Sequence, residues 1–519
     1  MHSLTSQNPE VWYKVYGQVD RVKQLIHNGI LFPQYDYKGF SILFKGRRIK
    51  LEPKQEEMAV AWVKKLGTEY VDDPVFVKNF FNDFGAALGL GKVSPEDFDF
   101  SEIIKYVEDE KLKKAGMSKE EKKRLAAERK EIRERNKEKY GYAIVDGKKV
   151  EIGNYNAEPS SIFMGRGKHP LRGKWKEGPK PEDVILNLSP DAPRPPGNWK
   201  EIVWEPDCMW IAKWEDKLRG KLKHVWLSDT SHLKQRREIE KFDKAWELED
   251  KIEELRAHIK DNLTSEDVKR RKIATVCYLI DTLKLRVGDE KDKDEADTVG
   301  ATTLRPEHIK IGDNGLTKFN FLGKDSVRWE KEVYLPPQVI KNLKEFIAEA
   351  KSAIFEGIRS SNVSQFLDEV VPGLTAKVFR TYHATKVVEK ELNDSNVTKD
   401  DPEYVKKITA KMANLKAAEV CNHKKKVSKS FQKSLQKKKE RLKKLKEKKT
   451  EKAYQKIKEL ETQIEIMKKT KNYNLTTSLK SYIDPRVYYE WGKKVDYDWK
   501  KYYPKTLQRK FSWVEEEVE

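Results

Sequence analysis

Over the first ~225 residues the apolar positions change spacing every few turns of chain, which predicts a mixed α and β region. Ile42–Leu51 reads as a short hairpin turning at Lys45-Gly46, and Pro53 opens an amphipathic helix through Leu66. Ser118-Lys119-Glu120-Glu121 is a capping box at the head of a polar helix of about twenty residues. Gly141–Ile152 reads as a second hairpin with Asp146-Gly147 at its turn. A Pro-rich connection, 188–198, leads into strands from Trp199 to Leu227, where Trp199, Trp204, Trp210, Trp214 and Trp226 recur. From about Ser231 the spacing becomes helical, at Phe242–Leu263 and Val268–Leu285. Strand-like pieces follow at His308–Ile311 and Lys318–Leu322, joined through 312–317, and then helices around Pro336–Ile354 and Ala376–Glu391. Residues 424–470 contain no Gly or Pro. Leu435, Leu442 and Leu445 keep heptad-like spacing, as do Ile457, Leu460, Ile464 and Met467. The register breaks near Lys448–Lys452, so the segment reads as two helices folded back into an antiparallel coiled coil. Tyr473–Glu519 is rich in aromatics and reads as a small helical domain.

Composition narrows the function classes. A chain of 519 residues suggests about three domains. Lys and Arg number 106 against 85 Asp and Glu, a net charge of +21, yet hydrophobic residues still make up 37%, enough for real cores. The most apolar stretch, Ile273–Ile280, is far too short to span a bilayer. The opening residues MHSLTSQNPE lack a secretory pattern. Cys208, Cys277 and Cys421 lie too far apart in sequence to suggest a disulfide framework or a CxxC metal site. These observations point to an intracellular, basic protein whose partner is a polyanion, nucleic acid foremost. The excess charge is concentrated: residues 424–470 carry 19 Lys and Arg against 6 Glu, a net of +13.

Nucleotide hydrolysis is disfavoured. Gly85…Gly91-Lys92-Val93 resembles a phosphate loop, but the glycine spacing is one residue too long and Val93 replaces the magnesium-binding hydroxyl. The acidic run Asp289, Glu290, Asp292, Asp294, Glu295, Asp297 lacks the order and central glycine of an EF-hand and reads as a solvated loop. Chemistry on a phosphodiester would therefore use side chains alone. Arginine forks suit the charge on a pentacoordinate phosphorane. A leaving alkoxide needs a proton from Lys or His, and the nucleophile would be Tyr, Ser or Cys. Composition does not choose the nucleophile, since Tyr473, Tyr482, Tyr488, Tyr489, Tyr497, Tyr502 and Tyr503 all compete in the last segment.

Separated motifs in a fixed order narrow the choice. They are Leu285-Arg286-Val287-Gly288 with 296–300 and Leu304-Arg305; Phe321-Leu322-Gly323-Lys324-Asp325-Ser326; Leu374–Tyr382, containing Lys377 and Arg380; Cys421-Asn422-His423; and Ser481-Tyr482-Ile483-Asp484-Pro485-Arg486 with Lys505-Thr506 and Phe511-Ser512-Trp513. Phe163–Pro170 adds a sixth. In this order, with a basic helical segment between the last two, the set resembles eukaryotic-type type IB DNA topoisomerases along nearly the whole chain. The resemblance implies an α+β multidomain fold: a mixed α/β N-terminal DNA-clamp lobe (1–228), a mainly α catalytic domain of the tyrosine recombinase/type IB topoisomerase type (229–427), a coiled-coil linker (428–472) and a small helical C-terminal domain carrying the nucleophile (473–519). It implies a catalytic set of Arg286, Lys324, Arg380, His423 and Tyr482. Tyr482 would attack to give a 3′-phosphotyrosyl bond, Arg286, Arg380 and His423 would hold the non-bridging oxygens, and Lys324 would protonate the 5′ oxygen. Arg166, Lys168, His169, Asp325 and Lys377 would contact DNA. The implied activity is relaxation of supercoiled duplex DNA, largely independent of sequence, by a monomer, with no membrane, no ATP and a divalent metal at most stimulatory. Asp484-Pro485 also reads as an N-cap and first helical residue, placing Tyr482 on the short approach to a helix.

Two positions depart from the resemblance. Met164 stands where nuclear members carry a basic residue, and Ser481 where camptothecin-sensitive members carry Asn. A tyrosine recombinase or integrase shares the Arg–Lys–Arg–His–Tyr chemistry, but its second box reads His-x-x-Arg. Here Lys377 precedes Arg380 by three, and the nearby His383 follows it. A non-enzymatic DNA clamp would leave the five-residue constellation unexplained.

Overall fold

The computed structural model describes residues 21–165, 167–289, 298–324, 327–448 and 450–518, and every structural statement concerns these. Arg166, Asp325 and the acidic run from Glu290 onward therefore lie outside the described residues. The chain divides into two compact units, one built from residues up to Lys234 and the other from Gln235 onward.

The first unit has two apolar cores. One gathers Phe76, Phe80, Phe81 and Phe84 from the helix Pro74–Ala87 against Trp62 of the helix Pro53–Val63; Trp62 stacks on Phe80 at 4.8 Å. Gly85 lies inside Pro74–Ala87, so no phosphate loop forms there. Beside this core the strands Ser41–Phe44 and Arg47–Lys50 form the first hairpin. Lys45 (φ 48°) and Gly46 (φ 80°) both take positive φ, the turn that matches strand twist. The second hairpin, Tyr142–Val145 with Lys148–Glu151, uses the same device at Asp146 (φ 50°) and Gly147 (φ 76°). It follows the helix Lys119–Tyr140, whose capping box is formed by Ser118 and Glu121. The other core lies under a four-stranded sheet ordered Glu201–Val203, Val184–Asn187, Trp210–Glu215, Leu222–Trp226, with the first pair parallel. The strand Leu25–His27 and the helix Ser101–Gly116 are additional to the elements that the hydrophobic pattern predicts.

The second unit is mainly helical. His232–Asn262 and Val268–Leu283 pack with Pro337–Glu349, Ser360–Asp368 and Ala376–Asn393 around one large core. The helix expected over Pro336–Ile354 ends at Glu349. The Glu356 carboxylate accepts hydrogen bonds from the Lys351 and Ser352 N–H groups and turns the chain there. A three-stranded antiparallel sheet, Ile309–Ile311, Leu316–Gly323, Val327–Tyr334, covers one part of this core. Its third strand was not anticipated, because Arg328, Glu330, Lys331 and Glu332 conceal an alternation whose buried member, Trp329, stacks on Phe321 at 5.0 Å.

Helices Lys429–Lys446 and Glu451–Thr470 lie side by side through Leu435, Leu460 and Ile464, and Lys446 pairs with Glu461 at 2.6 Å. The chain leaves for this pair and returns from it at one place. Lys425 N–H donates to Asn472 O (2.7 Å), and Asn474 N–H donates to His423 O (2.7 Å). The last segment, with helices Leu475–Ser481, Pro485–Val495, Lys505–Lys510 and Trp513–Val518, shares an aromatic core with the helices Ala376–Asn393 and Glu403–Val420.

Candidate active site

Apart from Phe163–Pro170, the motifs sit at or near the ends of elements in the second unit. The helix Val268–Leu283 stops at Lys284, whose left-handed backbone (φ 58°) redirects the chain into Leu285-Arg286. The strand-like run that follows is pinned by its neighbour: Ala301 N–H donates to Arg286 O and Thr302 N–H to Val287 O, both at 2.8 Å. This close approach explains the glycines. A Cβ on Gly288 (φ 82°) would lie 2.7 Å from Gly300 Cα, and one on Gly300 would lie 2.5 Å from Gly288 Cα. Lys324 stands at the tip of the hairpin between Leu316–Gly323 and Val327–Tyr334, exposed. Lys377 and Arg380 share the first turns of Ala376–Asn393. Lys377 is exposed and Arg380 is only 4% exposed, so the pair is not a solvated face.

Cys421-Asn422-His423 terminates Glu403–Val420 in a Schellman motif. Asn422 N–H donates to Glu419 O (3.0 Å) and His423 N–H to Ala418 O (2.8 Å), with Asn422 left-handed at φ 50°. The motif therefore delivers a histidine at a fixed direction off a helix end. Tyr482 lies between Leu475–Ser481 and Pro485–Val495, the second of which is N-capped by Asp484 accepting from Arg486 N–H at 2.9 Å. Thr385 on the arginine-bearing helix holds this bend, donating to Tyr482 O (3.3 Å) and accepting from Asp484 N–H (3.1 Å).

These ends converge. Arg286 Nη1 donates to the Tyr482 hydroxyl at 2.9 Å. The Arg380 guanidinium carbon lies 4.9 Å from the Tyr482 ring centre, and the His423 ring lies 5.1 Å from it. Arg380 is itself fixed: Nη1 donates to Lys284 O (2.6 Å), and Nη2 donates to Cys421 O (2.8 Å) and faces His423 Nε2 (3.1 Å). Its Nε is buried without a partner. Arg286, Lys324, Arg380, His423 and Asn422 line one cavity of about 100 Å³. Tyr482 is not part of that wall. It is 3% exposed, behind Arg286.

The electrostatics follow from this packing. Burial pushes the Tyr482 hydroxyl pKa up, but the Arg380 and Arg286 guanidiniums outweigh burial and leave it below the usual tyrosine value. Burial, and then the same two cations, lower His423 to about 3, so its imidazole is neutral at pH 7. Among the described residues no three His, Cys, Asp or Glu side chains are grouped to hold a metal ion.

Three supporting features escaped the sequence reading. Ser478 Oγ lies 2.7 Å from His423 Nδ1. Lys510 donates to Lys480 O (3.0 Å) and Lys241 reaches Ser481 O (3.4 Å), while Glu238 joins both lysines. These buried groups hold the two carbonyls just before the tyrosine. His383 pairs with Asp281 at 2.7 Å. Burial would raise the Asp281 carboxyl, but His383 and Arg256 hold it down at about 2. Of these, the Glu238–Lys241 pair three residues apart on one helix was visible in principle. The contacts to 478–481 join residues 30 to 240 positions apart in sequence and leave no local signal. In the first unit, Gly165 (φ 58°) and Gly167 (φ 60°) fold the 163–170 loop so that Lys168 is exposed. His169 is buried, its Nδ1 accepting from Leu171 N–H at 3.1 Å, so it shapes the loop rather than standing out as a surface cation.

A buried tyrosine held between two arginines and a neutral histidine suits phosphoryl transfer to a tyrosine oxygen. Comparison with known proteins gives the family. The family model for the eukaryotic DNA topoisomerase I catalytic core matches residues 230–456, the DNA binding fragment of the same enzymes matches 20–227, and the C-terminal topoisomerase domain matches 454–519. The chain is 35% identical to DNA topoisomerase 1 beta of Arabidopsis thaliana, over 95% of this chain and 58% of that protein. It is 33% identical to DNA topoisomerase 1 of Homo sapiens (96% and 71%), and 32% identical to the human DNA topoisomerase I, mitochondrial (95% and 90%). The chain belongs to the eukaryotic type IB DNA topoisomerase I family. It spans little more than half the length of the Arabidopsis relative.

Proposed function

We propose that this protein relaxes supercoiled duplex DNA by transient cleavage of one strand, without ATP. The observation that carries the reading is the convergence of Arg286, Arg380 and His423 on Tyr482, with Lys324 on the same cavity wall. Tyr482 gives its phenolic proton to water, attacks a backbone phosphorus as the tyrosinate and forms a 3′-phosphotyrosyl bond as the bond from phosphorus to the 5′ oxygen breaks. Arg286, Arg380 and His423 take the developing charge on the non-bridging oxygens, and Lys324 protonates the departing 5′ oxygen. For attack, the Arg286 N–H now bonded to the Tyr482 hydroxyl turns to the phosphate, and the hydroxyl is freed as the phosphate arrives. One phosphodiester replaces another of similar energy, so religation needs no ATP, and a divalent metal is at most stimulatory. The free 5′ end rotates about the intact strand before it reattacks.

DNA is bound mostly through phosphates, hence with little sequence dependence. Lys168, Lys377, Arg166 and Asp325 supply contacts near the break, and His169 holds the loop that presents the first of these. We assign four parts: a DNA-clamp lobe over 1–228, a catalytic domain over 229–427, a coiled-coil linker over 428–472 and a nucleophile-bearing domain over 473–519. A monomer carries the whole set.

The test is a supercoiled plasmid assay without ATP or magnesium, using wild type and Tyr482→Phe. Wild type should relax the plasmid. The variant should bind DNA as well as wild type and relax none, because only the attacking oxygen is gone. Relaxation by Tyr482→Phe would refute the assignment, and strand exchange confined to particular sites would indicate a recombinase instead.

A further inference from the structure

His423 has two nitrogens, and the structure accounts for both. Arg380 Nη2, which can only donate, faces Nε2 at 3.1 Å, so Nε2 holds the lone pair. Nδ1 therefore carries the proton and donates to Ser478 Oγ at 2.7 Å. This is the opposite of what phosphate binding asks of the ring: to donate to a non-bridging oxygen, Nε2 must carry the proton and Nδ1 must accept. Ser478 is fully buried, and its carbonyl also accepts the N–H groups of Tyr482 (2.9 Å) and Ile483 (3.1 Å). One residue thus touches the imidazole through its side chain and the nucleophile through its backbone.

We infer that Ser478 is a positioning residue of the site, whose hydroxyl accepts from His423 Nδ1–H in the free protein and rotates to donate to Nδ1 when a phosphodiester draws Arg380 away. A hydroxyl can do both, whereas a carbonyl could only accept and an ammonium only donate. The net protonation of the ring is unchanged over the switch: the Nδ1–H bond breaks as its proton passes to water, an Nε2–H bond forms with a proton from water, and none is gained or lost overall. In the free state the arrangement parks Arg380 against Nε2. In the bound state it turns the imidazole into a donor aimed at the phosphate, with the ring plane held by the same 2.7 Å contact. The tautomer is read by hydrogen-bond logic, which is how ring protons are assigned when they are not seen. At metal centres, outer partners that orient a ligating histidine are worth about 10- to 100-fold in affinity or activity, and that range sets the scale for a histidine oriented toward a phosphate.

The inference rests on the proposed site, and two measurements on the full-length protein keep them separable. The first is long-range ¹H–¹⁵N correlation on ¹⁵N-histidine-labelled protein. His423 should show the Nδ1–H tautomer in the free protein. It should show the Nε2–H tautomer in Tyr482→Phe bound to a short duplex that this variant cannot cleave. An Nε2–H tautomer in the free protein, or Nδ1–H in both states, overturns the inference without touching the assignment of Tyr482. The second is a double-mutant cycle in single-turnover cleavage with Ser478→Ala, His423→Ala and the pair. Ser478→Ala should slow cleavage by roughly 10-fold or more with DNA affinity within about twofold, and should cost nothing further in the His423→Ala background. An equal cost in both backgrounds would mean Ser478 supports the fold or the tyrosine rather than the imidazole, and overturns the inference. A His423→Ala that cleaves normally refutes the proposed site itself.

Discussion

Tyr482 sits between opposing influences, and which one wins sets the pH behaviour. Burial disfavours the tyrosinate, while Arg380 and Arg286 favour it and prevail, leaving the hydroxyl below the ordinary pKa of about 10. Cleavage in single turnover should therefore rise with pH and level off before pH ~10. Arg286→Gln removes one of the two cations, so the anion is less favoured and the break should move to higher pH. A break that does not move would show that Arg286 does not set the state of the nucleophile. Lys324 offers a different test, because its role concerns the leaving group. Lys324→Ala should slow cleavage of an ordinary 5′-oxygen substrate by roughly 100- to 10,000-fold, the usual worth of general-acid catalysis. A 5′-bridging phosphorothiolate should restore the rate, since a thiolate leaves unprotonated. Failure of that rescue would assign Lys324 to holding DNA. This lysine stands exposed at a hairpin tip, on the wall of the cavity that Arg286, Arg380 and His423 also line.

At the scale of elements, the motifs are legible in sequence because they are element ends, where local chemistry is strict. Asn422 is tolerated left-handed at a helix terminus, Gly288 and Gly300 permit two strands of backbone to touch, and Asp484-Pro485 starts a helix. What the sequence does not carry is the set of contacts between ends. Ser478 to His423, and Lys241 and Lys510 to the carbonyls before Tyr482, depend on packing between separate helices. The strand Val327–Tyr334 is hidden for a related reason: charged residues dominate it, and Trp329 with the half-buried Val333 is all that marks the core side. The helix pair over 429–470 is different again. Its ends are joined by backbone hydrogen bonds at Lys425–Asn472 and His423–Asn474, so the pair can be cut away without changing where the chain enters and leaves. Deleting about Lys437 to Glu465 behind a short flexible linker should leave single-turnover cleavage near normal. The salt optimum for plasmid relaxation should move lower, as looser DNA binding costs processivity. A drop of orders of magnitude in cleavage by a folded variant would mean that the pair helps place Tyr482, through the Asn474–His423 bond that borders both.

At the scale of the whole molecule, charge rather than shape carries the expectation. The net charge of +21 is unevenly spread: residues 424–470 alone hold +13, on helices whose lysines are mostly exposed. Exposed charges act over a Debye length of only ~8 Å at physiological salt. These residues therefore matter where they come close to phosphates, and each phosphate they neutralise releases counterions. For duplex DNA the slope of log K against log salt is about −0.9 for each phosphate neutralised. A protein that binds through lysine and arginine contacts in its first unit, its active site and its helix pair should show a steep slope, several times that single-contact value. Deleting the helix pair should make the slope shallower without altering the order of affinities among duplexes of different sequence, because phosphate contacts carry no base information. Equilibrium binding of a short duplex to Tyr482→Phe, titrated across salt with and without the deletion, measures both quantities. A nearly flat slope in the intact protein would remove phosphate neutralisation as the source of its affinity. A slope unchanged by the deletion would show that the charges of 437–465, 12 Lys and Arg against 6 Glu and a net of +6, lie out of reach of the DNA.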